Sequence, residues 1–92
     1  MQQRTIQMHV FVSGEVQGVS YRAYCRQQAL RLKLKGWVRN LDDGRVEAVF
    51  HGPEANVQAM VAWCQQGSMR ANVTDVQATK MPLEAFLDFS VR

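Results

Sequence analysis

The stretch Gly14-Glu15-Val16-Gln17-Gly18-Val19-Ser20-Tyr21-Arg22 joins an alternating apolar run to a helical pattern. Two glycines four residues apart, followed at once by a helix start, can direct backbone N–H groups at a small anion. Arg22 adds a planar fork of donors in the first helical turn. The stretch therefore predicts a strand–loop–helix unit that holds a phosphate or a carboxylate. Without Arg22 it would predict only an ordinary strand-to-helix turn.

We call residues 15–21 the cradle loop, and we expect the Arg22 side chain, which follows it, to bind the anion. The residues expected to form this loop are Glu15, Val16, Gln17, Gly18, Val19, Ser20 and Tyr21. Ser20 is expected to cap the helix through its hydroxyl, as serine commonly does at this position. The Glu15 carboxylate would repel an anion, so we expect it to face solvent. No Gly-Lys-Ser/Thr follows the glycines, which excludes a P-loop nucleotide site.

The periodicity on both sides of the cradle loop predicts the order β-α-β-β-α-β with a short terminal strand. Strands are expected at residues 5–13, 37–41, 45–51, 73–79 and 86–91. One helix is expected at residues 21–32, and a second from Gly52-Pro53-Glu54 to Gly67. A sheet this small cannot form a hydrophobic core on each of its faces. Both helices should therefore pack on one face of a mostly antiparallel sheet. This is the ferredoxin-like α/β sandwich of the α+β class.

The length and the net charge of the chain limit the number of domains and the classes of ligand that the protein is expected to bind. The 92 residues suit a single domain over residues 1–92. Eleven Lys and Arg against eight Asp and Glu give a net charge of +3, and the basic residues are scattered. An anionic small molecule fits this balance better than nucleic acid does. No apolar stretch approaches the ~20 residues of a membrane span, and the first residues lack a signal-peptide pattern. We expect a cytoplasmic monomer without a membrane or nucleic-acid partner.

The cysteines and histidines give no metal-ligand pattern. Cys25 and Cys64 fall on the apolar faces of the predicted helices, outside any Cys-x-x-Cys spacing, and are expected to be buried free thiols. His9 and His51 share the less apolar face of two strands, without Asp, Glu or Cys at ligand spacing. We therefore expect neither a metal site nor a cofactor.

Asn40 is the second candidate for chemistry. A right-handed crossover makes the first two strands parallel, with one strand between them. The cradle loop and the end of the second strand then share one sheet edge, with Asn40 roughly 10 Å from the loop. That gap could hold a phosphate and a water. The alternatives are an asparagine that bonds its own backbone and, for Arg22, an ordinary surface arginine.

Two blocks resemble the acylphosphatase family. The opening stretch is similar to its G-x-V-Q-G-V-x-F-R signature, and Gly36-Trp37-Val38-Arg39-Asn40 to its G-x-V-x-N strand. The resemblance covers nearly the whole chain and implies a ferredoxin-like hydrolase that cleaves the carboxyl–phosphate bond of acyl phosphates without a metal or cofactor. It implies that Arg22 and the loop N–H groups bind phosphate and that Asn40 orients the attacking water. Tyr21 departs from the usual Phe, and Cys25 from a frequent Thr.

Inorganic phosphate or sulfate is expected to compete with substrate at the cradle loop. Two other function classes stay open at this point. One is a non-catalytic anion-binding regulatory module of the same fold. The other is an RNA-binding domain, which would need exposed aromatic side chains on the central strands, where only Phe11 is obvious.

Overall fold

The computed structural model describes residues 4–92. The elements are β1 (Thr5–Glu15), α1 (Tyr21–Arg31), β2 (Lys35–Asn40), β3 (Val46–Pro53), α2 (Glu54–Gln66), β4 (Asn72–Lys80) and β5 (Phe89–Val91). Their order is the predicted one. The expectation that no signal peptide is present rests in part on residues 1–3, which lie outside the described residues.

The strands form one sheet in the order β4-β1-β3-β2-β5. β1 pairs antiparallel with β3 and β4, β2 pairs antiparallel with β3, and only the short β5 is parallel to its neighbour β2. Since β1 and β2 are both antiparallel to β3, they run parallel to each other with β3 between them. The ferredoxin-like fold is confirmed, and the ends of β1 and β2 share an edge of the sheet.

The core lies between the two helices and one face of the sheet. Ile6, Val10 and Val12 of β1 are buried in this core, as the alternation predicts, but Gln7 on the opposite face is buried as well. The helices contribute Tyr21, Cys25, Ala29, Val57, Met60 and Cys64, and the other strands contribute Val38, Val46, Ala48, Phe50 and Phe89. No helix among the described residues is long and apolar enough to cross a bilayer.

The terminal strand is shorter than predicted. It was expected from residue 86 but begins at Phe89. The alternating pattern of Leu87, Phe89 and Val91 is misleading, because Leu87 is 98% exposed and only Phe89 is buried. Phe86 instead packs edge-on against the His51 ring, at 6.0 Å between ring centroids. Residues 86–88 lie outside the strands of the sheet.

The two cysteines are free and buried, as predicted. Burial raises the pKa of the Cys64 thiol to about 12 and the pKa of Cys25 well above its usual value. Both groups therefore stay protonated at neutral pH and pack as small apolar side chains, and neither supplies a thiolate nucleophile.

Candidate active site

The backbone of the cradle loop has the form of an anion nest. Gly18 has φ 73° and Ser20 has φ 62° and ψ 25°, so both residues are left-handed. A left-handed conformation costs a non-glycine residue about 1–2 kcal/mol and needs support from its surroundings. Left-handed residues in a turn direct neighbouring N–H groups to a common side, which creates an anion-binding concavity.

The predicted capping role of Ser20 is wrong. Ser20 does precede the first residue of α1, but its side chain makes no capping hydrogen bond. A capping serine has an extended backbone, whereas the Ser20 backbone is left-handed. The first turn of α1 also carries no acidic residue. The positive end of this helix is therefore left for a ligand.

Two contacts from α2 and the residues after it hold the cradle loop. The Ser68 hydroxyl donates to the Val19 carbonyl at 2.7 Å. Because the N–H and C=O of a trans peptide point in opposite directions, this bond turns the Ser20 N–H away from Ser68. The Tyr21 hydroxyl donates to the Cys64 carbonyl at 2.8 Å, so the hydroxyl that departs from the family pattern has a partner. Sequence reasoning missed both contacts.

Arg22 lies half-buried at the start of α1. One terminal nitrogen of its guanidinium donates to the Arg92 carbonyl at 2.8 Å. A guanidinium carries five N–H donors, so this bond orients the group and leaves others for a ligand. No pattern in the sequence predicted that Arg92 contacts Arg22. Glu15 is exposed, as expected.

One cavity of about 430 Å³ contains both predicted functional side chains. Its lining residues are Val16, Gln17, Gly18, Ser20, Tyr21, Arg22, Ala23, Asn40 and Val91. The topology argument that placed Asn40 near the cradle loop is therefore correct in position. Glu15 and Val19 are predicted loop residues that do not line the cavity.

The Asn40 side chain carries the most informative polar atom of the site. Its Oδ1 is buried and is the one buried side-chain N or O atom without a hydrogen-bond partner among residues 4–92. Leaving such an atom unsatisfied costs about 1–3 kcal/mol. The alternative in which this oxygen bonds the local backbone is not observed. Asn40 thus lines the cavity and carries an acceptor that no donor in the described part of the chain satisfies.

A larger groove of about 500 Å³ lies between α1 and α2, beside Tyr24, Arg31 and Trp63. It contains neither Gly18 nor Ser20, and no described residue that lines it has a buried side-chain polar atom without a partner. The smaller cavity is therefore the better candidate for chemistry.

The two histidines take separate partners on the sheet face opposite the helices. His9 Nε2 lies 2.6 Å from Glu47 Oε2, and His51 Nδ1 lies 3.0 Å from Gln7 Oε1. Sequence spacing missed Glu47, which also accepts a hydrogen bond from Arg39 Nε at 2.6 Å. Burial acts to raise the pKa of the Glu47 carboxyl, but the bonds from His9 and Arg39 outweigh it and lower that pKa. Within the described chain, no three or more His, Cys, Asp or Glu side chains form a group that could hold a metal ion.

The same sheet face bears on the RNA-binding alternative. Trp37 lies on it in addition to Phe11, but the rings are covered by arginines. Arg45 lies 4.7 Å from the Phe11 centroid, and Arg92 lies 4.8 Å from the Trp37 centroid. A guanidinium over a ring competes with a base for that face of the ring. This face gives the RNA-binding alternative no support.

Comparison with known proteins identifies the family of the chain. The model of the acylphosphatase family matches residues 8–91. An acylphosphatase of Haloarcula marismortui is 61% identical over 84 residues, which are 91% of this chain and 92% of the relative. The solved acylphosphatase of Coxiella burnetii superposes with a TM-score of 0.95 at 37% identity, covering 100% of this chain and 99% of the other. That of Bacillus subtilis superposes with a TM-score of 0.92 at 41% identity, covering 95% and 98%. The chain belongs to the acylphosphatase family.

Proposed function

We propose that the chain hydrolyses the carboxyl–phosphate bond of acyl phosphates in the cavity between the cradle loop and Asn40. The observation that carries this proposal is that Asn40, whose buried Oδ1 has no partner among the residues described, lines the same cavity as Arg22. A binding module needs only donors for its anion. An unpartnered amide oxygen on a residue that lines the same cavity suits a water that must be held in one orientation.

The phosphate is held by donors that are already in place. Arg22 and the N–H groups at the start of α1 bind its oxygens, and they stabilise the charge that is redistributed as the bond breaks. Because the left-handed loop is formed before the ligand arrives, little reorganisation is needed in the transition state. A metal is not required for this charge stabilisation.

The reaction needs no strong base, because an acyl phosphate is a mixed anhydride with a good carboxylate leaving group. A water that donates a hydrogen bond to Asn40 Oδ1 attacks phosphorus in line with the scissile bond. The bond between phosphorus and the acyl oxygen breaks, and that oxygen leaves as the carboxylate. Asparagine is not a base at neutral pH, so the water proton passes to a phosphate oxygen. The products are a carboxylate and inorganic phosphate.

The first test is hydrolysis of a simple aryl-acyl phosphate in excess chelator. Turnover is expected to persist, because each step uses only side chains and backbone groups of this chain. The measurement is loss of substrate over time with the purified protein. Loss of activity on chelation that a divalent ion restores would contradict this mechanism. Phosphate binding without turnover would identify an anion-binding module instead.

Inorganic phosphate or sulfate should bind competitively at the cradle loop. On titration with phosphate, the largest amide NMR shifts are expected at residues 16–22, because the N–H groups of this segment surround the ligand. The inhibition constant from kinetics should equal the dissociation constant from the titration. Shifts that cluster in the groove between α1 and α2 would move the site there.

We further propose that the chain works as a single catalytic domain, as a monomer and in the cytoplasm. The single sheet and the extent of the family match support the first point. The two free thiols suit a reducing compartment.

A further inference from the structure

The Gln17 side chain crosses from the cradle loop to the β2–β3 hairpin. Its Nε2 donates to the Leu41 carbonyl at 2.7 Å and to the Arg45 carbonyl at 2.9 Å. A side-chain amide nitrogen has two hydrogens, and these bonds use both. Gln17 therefore cross-links two segments that are separated in sequence and meet at the cavity.

The two carbonyls lie at the base of the hairpin that carries Asn40. Leu41 directly follows Asn40, and its N–H donates to the Arg45 carbonyl at 2.8 Å. The same Arg45 carbonyl also accepts from Gln17. A displacement of the Gln17 amide would thus be felt one residue away from the oxygen that holds the water.

The sheet itself does not join these segments directly. β3 lies between β1 and β2, so no backbone ladder connects the strand that ends in the cradle loop to the strand that ends in Asn40. Two inter-strand steps of ~4.8 Å separate them. Small shifts in the β1–β3 and β3–β2 pairings add up, and together they change the distance between the cradle loop and Asn40. A misplacement of about 1 Å between reacting groups can cost about 10²-fold in rate.

We propose that Gln17 is a positioning residue, which fixes the distance between the phosphate held by the cradle loop and the water held by Asn40. This inference rests on the proposed function. Gln17 acts through Asn40, and its side-chain nitrogen is already used by the hairpin.

Gln17 differs in this respect from the contacts that shape the loop. The bond from Ser68 to Val19 and the left-handed residues Gly18 and Ser20 set the nest within the loop and the start of α1. These features remain when the Gln17 amide is removed. Loss of the cross-link should therefore lower turnover while the affinity for inorganic phosphate is largely retained.

The test is a double-mutant cycle between Gln17→Met and Asn40→Ala. Methionine keeps the length of the side chain, adds no charge and removes both donors. In the presence of Asn40, Gln17→Met is expected to lower kcat by about tenfold or more, with the phosphate inhibition constant within about twofold. In the Asn40→Ala background it should change kcat by less than about twofold, because its effect passes through Asn40.

Gln58→Met is the matched control, because Gln58 is an exposed residue of α2. It is expected to leave kcat unchanged in both backgrounds. Gln17→Asn retains the amide but is one methylene shorter, and it replaces the methionine variant if that variant does not fold. It should show the same coupling to Asn40 with a smaller loss of kcat.

Three results would overturn the inference. One is unchanged kcat in Gln17→Met. Another is an equal loss of kcat in both backgrounds, which would mark a general structural role. The third is a loss of phosphate affinity that matches the loss of kcat, which would mean that the Gln17 side chain supports phosphate binding and does not act through Asn40. If Asn40→Ala by itself leaves kcat unchanged, the proposed function fails instead, and the two failures are thereby distinguished.

Discussion

Replacing Arg22 by alanine should lower the turnover rate by at least about 10²-fold, comparable to the loss of one strong oxyanion donor. The guanidinium lies in the cavity and is oriented by its 2.8 Å bond to the Arg92 carbonyl. Its removal takes away the cationic side chain that lines the cavity. The affinity for inorganic phosphate should fall with the rate, because the same group binds the ground state.

Arg22→Lys is expected to restore little activity. An ammonium is a point charge and cannot keep a donor on the Arg92 carbonyl while it presents a planar pair to the phosphate. Arg31→Ala is the control on the same helix, since Arg31 is exposed and does not line this cavity. Kinetics of the three variants with one acyl phosphate provide the measurement. Turnover near that of the unmodified protein in either Arg22 variant would reject Arg22 as the phosphate anchor.

Replacing Asn40 by alanine should separate binding from chemistry. kcat is expected to fall by about 10²-fold or more, because the orientation of the water contributes mainly in the transition state. The inhibition constant of inorganic phosphate should stay nearly unchanged, since the groups that we propose to hold phosphate are on the cradle loop and α1. Weaker phosphate inhibition with unchanged turnover at saturation would make Asn40 a binding residue.

The stability of the Asn40→Ala variant supplies an independent readout. The buried Oδ1 makes no hydrogen bond in the folded protein, so its removal breaks none there. The free energy of unfolding should therefore hold or rise, by up to about 1 kcal/mol. Denaturant midpoints of Asn40→Ala and of the exposed control Asn72→Ala check this. A clear loss of stability with full activity would show that Asn40 is structural.

The parts of this protein that sequence predicted are those set by local periodicity and strand topology. The alternation in β1 identified the buried face, and the glycines identified the loop. The order of strands then placed Asn40 at the same edge of the sheet as the cradle loop. This placement required no measured distance, because a right-handed crossover connection leaves few possible strand arrangements for so short a chain.

The parts that sequence missed depend on contacts between distant residues. Serine is a common capping residue, but the Ser20 backbone is left-handed and its side chain makes no capping hydrogen bond. The neighbouring Val19 carbonyl is bonded by Ser68, which is distant in sequence. The contacts of Glu47 with His9 and Arg39 depend on the register of three strands, so they can be predicted only when that register is known. The two bonds of Gln17 likewise join segments 24 and 28 residues apart, which no local pattern reports.

The position of β1 between β3 and β4 has a consequence for how the protein folds. β1 is the first strand of the chain, yet both of its partners follow much later, with Met8 opposite Lys80. Pairings across such sequence separations carry a large loop-closure cost and slow the folding reaction. During synthesis on the ribosome, the proposed phosphate site stays incomplete after the cradle loop has emerged, because Ser68 and Arg92, which contact Val19 and Arg22, are synthesised later. Catalytic competence is thus acquired late, together with the closing of the sheet.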